Sequence, residues 1–171
     1  MITRHDLLEW LKEVDGRLSR EMAVIAVGGT ALTLLGLKES TRDVDFCVVG
    51  EHFAEFKKAA SSEKFVVDLF PGGYIFAVHL PENYLEKAKD VPFSGKHLQL
   101  KTLCLEDIIL TKTARFSTRD IEDIKTVVET GKVNLEFLKK RFEHVLGSYA
   151  GNDEDYRYHF TLMLKMFFGE G

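Results

Sequence analysis

A short run of β-branched and apolar residues, 22–27, ends at the glycine pair Gly28 and Gly29, and a second apolar segment follows directly. Such a run is typical of a buried strand, and the glycines halt it. Residues 30–37 are apolar enough to form a short helix that packs on a sheet. The chain is therefore expected to contain a strand, a tight glycine turn and a helix in direct succession.

Strand and helix patterns alternate in the first part of the chain, and only helical patterns follow Leu105. We expect strands over 43–49, 65–70, 74–78 and 96–103, and helices over 6–20, 52–60, 106–115, 119–130, 135–146 and 153–168. This order predicts a mixed α/β fold in which a core over 1–104 carries a helical region over 105–171 packed on it.

The charge balance excludes one class of function. The sequence has 27 acidic and 23 basic residues and a net charge of −4, whereas a protein that coats nucleic acid non-specifically needs a dense basic surface. An enzyme that handles phosphates is compatible with this balance, because metal ions can supply its positive charge.

The two cysteines, Cys47 and Cys104, lie in apolar runs without CxxC spacing. We therefore expect free buried thiols rather than a disulfide or a zinc site. The first residues lack the apolar stretch of a signal peptide, and no uncharged apolar run approaches the ~20 residues of a membrane span. The expected location is cytoplasmic.

Three acidic residues interrupt predicted strands. Asp43 and Asp45 are two residues apart on one strand, so their side chains point to the same face, and Asp68 lies in another strand. If the two strands are neighbours, the three carboxylates converge. Such a cluster needs cations, and its oxygen ligands suit Mg²⁺ or Mn²⁺, of which two can bridge an attacking oxygen and the phosphates of a nucleotide. The pattern predicts phosphoryl chemistry.

The glycine pair adds a place for phosphate. Glycines let the backbone approach a ligand closely, the start of the following helix offers N–H groups, and Thr30 offers a hydroxyl. A glycine pair alone most often marks a tight turn. Asp43 and Asp45 alone also fit a solvent-facing strand edge or an ion pair with Arg42. Their combination favours a nucleotide site.

The order of these motifs resembles that of the nucleotidyltransferase superfamily, which has the DNA polymerase beta fold. The matching segments are Val-Gly-Gly-Thr-Ala-Leu (27–32), Ser-Thr-Arg-Asp-Val-Asp-Phe (40–46), Leu-Glu-Asp-Ile-Ile (105–109) and Arg-Asp-Ile-Glu-Asp-Ile (119–124). They are similar to those of uncharacterised prokaryotic proteins akin to AbiEii-type toxin enzymes and, more distantly, to aminoglycoside nucleotidyltransferases. The resemblance covers about residues 20–125 and implies a mixed sheet flanked by helices, with a C-terminal helical region.

The resemblance also implies roles for the acidic residues. Asp43 and Asp45 would be metal ligands, and Asp68 would be both a third ligand and the general base toward an acceptor hydroxyl. The cofactor would be Mg²⁺ or Mn²⁺, with two ions in the site.

Five further residues would bind the nucleotide: Gly28, Gly29, Thr30, Lys112 and Arg115. The first three would cradle the β- and γ-phosphates, and the two cations would reach them from a helix. Because Lys112 and Arg115 are three residues apart, they share a helix face. A solvated face paired with Glu106 or Asp107 is the alternative interpretation.

These observations predict a metal-dependent nucleotidyltransferase that moves a nucleoside monophosphate from an NTP to a hydroxyl acceptor and releases pyrophosphate. The acceptor is expected to be a small molecule, a protein or a narrowly held RNA end. The alternative is a non-catalytic module of the same fold, acting as a toxin–antitoxin component or a nucleotide sensor. The apolar helix over 153–168 would be buried or would form an interface, for example in a homodimer.

Overall fold

The computed structural model describes residues 1–170. Its strands are β1 (Ile2–Thr3), β2 (Met22–Ala26), β3 (Ser40–Thr41), β4 (Val44–Val48), β5 (Val67–Pro71), β6 (Tyr74–Ile75), β7 (Val78–His79), β8 (Lys89–Asp90) and β9 (Leu98–Thr102). Its helices are α1 (Arg4–Arg17), α2 (Gly28–Leu34), α3 (Gly50–Ala59), α4 (Tyr84–Lys87), α5 (Leu105–Arg115), α6 (Thr118–Glu129), α7 (Leu135–Leu146) and α8 (Asp153–Phe168). The chain forms two compact units, residues 1–72 with 86–103, and residues 73–85 with those from 104 onward.

The first unit contains a mixed five-stranded sheet in the order β5-β4-β2-β9-β8. The pairs β4–β5 and β2–β9 are parallel, while β2–β4 and β8–β9 are antiparallel. A mixed α/β architecture was predicted from the alternating patterns, and it is confirmed.

An aromatic cluster joins helices α1 and α3 to one face of this sheet. Phe46 of β4 lies 6.2 Å from Trp10 of α1 and 6.0 Å from Phe56 of α3, measured between ring centroids. Both phenylalanines are fully buried. Because neighbouring strand residues alternate between faces, the side chain of Asp45 points to the face opposite this cluster.

Asp15 of α1 forms hydrogen bonds to the segment that leads into β9. Its carboxylate accepts the backbone N–H groups of Lys96, His97 and Leu98 at 2.8, 2.8 and 2.7 Å. Burial alone would raise the pKa of Asp15, but these three donors hold that pKa below its usual value. The start of β9 is therefore held by a charged hydrogen-bond acceptor that the periodicity of the sequence does not reveal.

Helix α5 is the centre of the second unit and contacts α6, α7 and α8. The hydroxyl of Tyr156 in α8 donates to the carbonyl of Leu110 at 2.8 Å. The guanidinium of Arg141 in α7 donates twice to Asp107, both at 2.7 Å, and once to Asn83, also at 2.7 Å. Burial raises the pKa of Asp107 despite this pairing with Arg141.

The last two helices have the bounds that the sequence predicts, because each begins at an asparagine cap. Asn134 accepts the N–H of Phe137 at 3.0 Å, and Asn152 accepts the N–H of Asp155 at 3.0 Å. Other elements shift: α2 begins at Gly28 rather than residue 30, and the segment predicted as a strand over 74–78 is the hairpin β6–β7.

The hairpin β6–β7 belongs to the second compact unit, although it lies early in the chain. Residues 73–85 precede the predicted boundary after residue 104, yet they cluster with the helices that follow it. The backbone N–H of Ala150 donates to Ala77 at 3.1 Å, and Arg141 binds Asn83. Contacts between residues so far apart in the chain have no local sequence signal.

Cys47 and Cys104 are both buried thiols, as predicted. Burial raises the pKa of the Cys104 thiol to about 12. Helix α8 buries Tyr156, Phe160 and Met163 but exposes Met166, so the homodimer predicted from its apolar residues stays a prediction. Within residues 1–170, no helix has the length and apolar character needed to cross a membrane.

Candidate functional site

The turn between β2 and α2 contains a backbone conformation that favours glycine. Gly28 has φ +56°, in the left-handed region that side chains rarely adopt. A Cβ atom on Gly28 would lie 3.5 Å from Oδ2 of Asp45. The preceding residue, Val27, donates its N–H to the carbonyl of Asp45 at 3.1 Å. The glycine turn therefore lies directly against the aspartate strand.

Thr30 connects the glycine turn to both aspartates. Its Oγ1 accepts the N–H of Asp45 at 2.9 Å and donates to the carbonyl of Asp43 at 3.0 Å. Thr41 donates to the same carbonyl at 3.1 Å. Because the single hydroxyl hydrogen of Thr30 is used here, its side chain positions the aspartate segment, and the phosphate contact predicted for it stays a prediction.

The strand pairing brings two of the predicted carboxylates side by side. Asp45 in β4 and Asp68 in β5 are Cα partners in the parallel register, so their side chains point to the same face from neighbouring strands, which lie about 4.8 Å apart. Asp45 is 8% exposed, whereas Asp68 is exposed. Asp43 directly precedes β4 and is also exposed. The condition for convergence, that the strands be neighbours, is met for Asp45 and Asp68.

These residues suit a divalent cation by donor type. Carboxylate oxygens on neighbouring strands are hard ligands of the kind that Mg²⁺ and Mn²⁺ prefer, and the glycine beside Asp45 leaves room for a ligand. Among residues 1–170, no three His, Cys, Asp or Glu side chains are gathered into a group that could hold a metal ion. Asp43, Asp45 and Asp68 as a metal-ligand set thus remain a prediction.

Lys38 lies at the glycine turn and was not predicted as a site residue. A Cβ atom on Gly29 would lie 4.0 Å from its Nζ and 2.7 Å from Oγ1 of Thr41. The available sequence signal was a basic residue in the polar turn between α2 and β4. It was missed because its distance to Gly29 depends on how that turn folds back.

Lys112 and Arg115 lie in the second unit, where acidic residues of α6 bind them. Nζ of Lys112, a residue only 5% exposed, is 2.7 Å from Oδ2 of Asp123 and 3.8 Å from Oδ1 of Asp120. Arg115 donates twice to Asp120, both at 2.8 Å. The partners considered from the sequence were Glu106 and Asp107, and the observed ones are Asp120 and Asp123.

The carboxylate of Asp120 also caps helix α6. It accepts both the N–H and the hydroxyl of Ser117, at 3.0 and 2.7 Å. Burial opposes its ionisation, but Arg115 and Ser117 together hold the pKa of Asp120 at about 2. The segment 119–124 therefore has an evident structural role in the second unit.

Comparisons with known proteins bear on the family and the fold of the chain. A family model described as "Nucleotidyltransferase of unknown function (DUF6036)" matches residues 5–167. The crystal structure of ANT(2'')-Ia in complex with adenylyl-2''-tobramycin has a TM-score of 0.57 at 13% identity, covering 92% of this chain and 98% of that chain. The solution structure of the antibiotic-resistance factor ANT(2'')-Ia has a TM-score of 0.55 at 10% identity, covering 98% of this chain and 100% of the other.

At such low identity the two structures show a shared fold. No curated protein matches the sequence significantly. The predicted similarity to AbiEii-type enzymes therefore stays a prediction.

Proposed function

The chain belongs to the DUF6036 family of nucleotidyltransferases of unknown function, and from that membership we propose that it transfers a nucleoside monophosphate from an NTP to a hydroxyl acceptor. The observation that carries the proposal is the parallel pairing of Asp45 with Asp68 beside Gly28. It places two carboxylates and the glycine turn together on one unit of the protein.

The proposed reaction is an in-line displacement at phosphorus. The acceptor oxygen forms a bond to the α-phosphorus, and the bond from that phosphorus to the oxygen bridging to the β-phosphate breaks, which releases pyrophosphate. The carboxylate of Asp68, exposed at the edge strand β5, accepts the proton of the acceptor hydroxyl. The backbone at Gly28 and Gly29 receives the β- and γ-phosphates.

Asp43 and Asp45, with Asp68, would hold Mg²⁺ or Mn²⁺, in two ions as predicted from the resemblance. Such ions supply positive charge to the phosphates and orient the reacting oxygens. Thr30 and Thr41 hold the backbone of the aspartate segment in place, so that its carboxylates are preorganised. Phosphate contacts from Lys112 and Arg115 would have to replace their ion pairs with α6, and the proposal does not require them.

The acceptor in this proposal is a small molecule with a hydroxyl group. The structurally similar ANT(2'')-Ia was solved with adenylyl-2''-tobramycin, an adenylylated antibiotic, which supports this choice for the fold. A protein hydroxyl and an RNA end are the other acceptors to test.

The decisive experiment measures pyrophosphate release and product labelling with each labelled NTP, Mg²⁺ or Mn²⁺, and tobramycin, simple alcohols, protein or tRNA as acceptor. Activity that disappears in the double variant Asp43→Asn/Asp45→Asn but persists in Glu63→Gln, which removes an exposed acid outside the site, supports the proposal. Turnover that the double variant retains contradicts it. Metal-independent NTP binding without turnover by the unmodified protein would instead indicate a nucleotide sensor.

A further inference from the structure

The turn after α2 doubles the chain back toward the glycine pair. Gly36 has φ +75°, and the N–H groups of Leu37 and Lys38 both donate to the carbonyl of Leu32, at 2.8 and 3.3 Å. Strand β3 then contacts α2 and pairs with β1. This reversal places a residue that follows α2 beside the residues that begin it.

An ammonium group and a carboxylate consequently flank the two glycines. A Cβ on Gly29 would lie 4.0 Å from Nζ of Lys38, and a Cβ on Gly28 would lie 3.5 Å from Oδ2 of Asp45. Larger side chains are excluded at position 29, where a Cβ would lie 2.7 Å from Oγ1 of Thr41. The glycine backbone is therefore bordered by the ammonium of Lys38, the carboxylate of Asp45 and the hydroxyl of Thr41, all from the first unit.

The triphosphate of an NTP has several negative charges, and the carboxylates of Asp43, Asp45 and Asp68 add more. A compact ammonium that can donate three hydrogen bonds is well suited to terminal phosphate oxygens, and such charge-assisted bonds are among the stronger ones in proteins. We propose that Lys38 binds the β- and γ-phosphate oxygens of the nucleotide beside Gly29. This inference rests on the proposed nucleotidyl transfer and names a residue that the sequence motifs did not single out.

The cations predicted from the sequence, Lys112 and Arg115, lie in the second unit, where they bind Asp123 at 2.7 Å and Asp120 at 2.8 Å. Lys38 belongs to the first unit, and its ammonium lies beside Gly29. Lys38 is the candidate for the terminal phosphates because of this position beside the glycine backbone.

The test compares Lys38→Met, Lys38→Arg and the control Lys58→Met, which removes an exposed lysine of α3. Calorimetry in the presence of Mg²⁺ would measure binding of an NTP, of inorganic pyrophosphate and of the matching nucleoside monophosphate. We expect Lys38→Met to weaken NTP and pyrophosphate binding by about tenfold or more, the effect of losing a charge-assisted hydrogen bond. Lys38→Arg should retain most of the affinity, and Lys58→Met all of it.

Binding of the monophosphate, which lacks the β- and γ-phosphates, should be the same in Lys38→Met as in the unmodified protein. An equal loss for NTP and monophosphate would overturn the inference, because it would indicate a general structural role. Unchanged NTP and pyrophosphate affinity in Lys38→Met would overturn it as well. Failure of the proposed function is distinguishable, since the unmodified protein would then show neither metal-dependent NTP binding nor turnover that depends on Asp43 and Asp45.

Discussion

Oγ1 of Thr30 accepts the backbone N–H of Asp45 at 2.9 Å, in a position where Thr30 has no exposed surface. The same hydroxyl donates to the carbonyl two residues earlier, so one side chain of α2 holds both ends of the aspartate segment. A buried N–H without a partner is costly. The orientation of the proposed metal ligands therefore depends on a threonine that need not touch the substrate.

Replacing Thr30 with Val keeps the shape of the side chain and removes both hydrogen bonds. We expect the free energy of unfolding to fall by about 1–3 kcal/mol, because the N–H of Asp45 loses its acceptor. Turnover should fall as well, since the aspartate segment is no longer held. Chemical denaturation and the transfer assay measure the two effects. Thr30→Ser, which keeps the hydroxyl, should stay close to the unmodified protein in both; equal loss in both variants would contradict this role.

Replacing Gly28 with Ala should lower the affinity for NTP beyond any effect of a lower free energy of unfolding. The left-handed φ costs about 1–2 kcal/mol for a residue with a Cβ, and the new methyl group would lie beside Oδ2 of Asp45. The matched control is Gly131→Ala, where φ is +70° but a Cβ would meet nothing within 4 Å. Calorimetric NTP affinity should fall for the first variant and not for the second. Equal affinities would show that close approach at Gly28 is unimportant.

Asp68→Asn tests the general base separately from nucleotide binding. The amide cannot accept the proton of the acceptor hydroxyl at the required strength, so kcat should fall by about 10²–10⁴-fold. The affinity for NTP should change much less, because Asp43 and Asp45 stay in place. Single-turnover and steady-state kinetics separate the two quantities. A variant that keeps its kcat would remove Asp68 from the mechanism.

The pH dependence of stability should contain a contribution from Asp120. Its pKa is about 2 in the folded protein against an ordinary value of 3.8, so the folded state favours the ionised form. The stabilisation is present above pH 3.8 and is lost as the pH falls toward 2, and it amounts to about 2 kcal/mol. Asp120→Asn should therefore be less stable at neutral pH and should approach the unmodified protein in acid.

Urea denaturation between pH 2 and 7 measures this difference. The control is Glu122→Gln, which removes an exposed acid on the same helix. It should leave the loss of unfolding free energy at low pH unchanged. A difference between Asp120→Asn and the unmodified protein that stays constant with pH would rule out the linkage.

Local patterns predicted much of this protein. Helices α7 and α8 have their expected bounds because asparagine caps and apolar spacing act within a few residues. Asp43 and Asp45 were expected on one strand with both side chains on one face, but β4 begins at Val44, so Asp43 lies just before it. The hairpin 74–79 was less predictable, since its turn residues Phe76 and Ala77 have positive φ without being glycine, and nothing in a Phe-Ala pair indicates such a turn.

The sequence by itself determined the strand, glycine turn and helix succession, the spacing of Asp43 and Asp45, and membership of a nucleotidyltransferase family. Only the tertiary structure decided that β5 pairs with β4 so that Asp68 lies beside Asp45, that Thr30 spans the aspartate segment, and that Lys38 returns to Gly29. The reason is physical: helix and strand periodicity act over a few residues, whereas strand register and ion pairing are selected by packing between residues far apart in the chain.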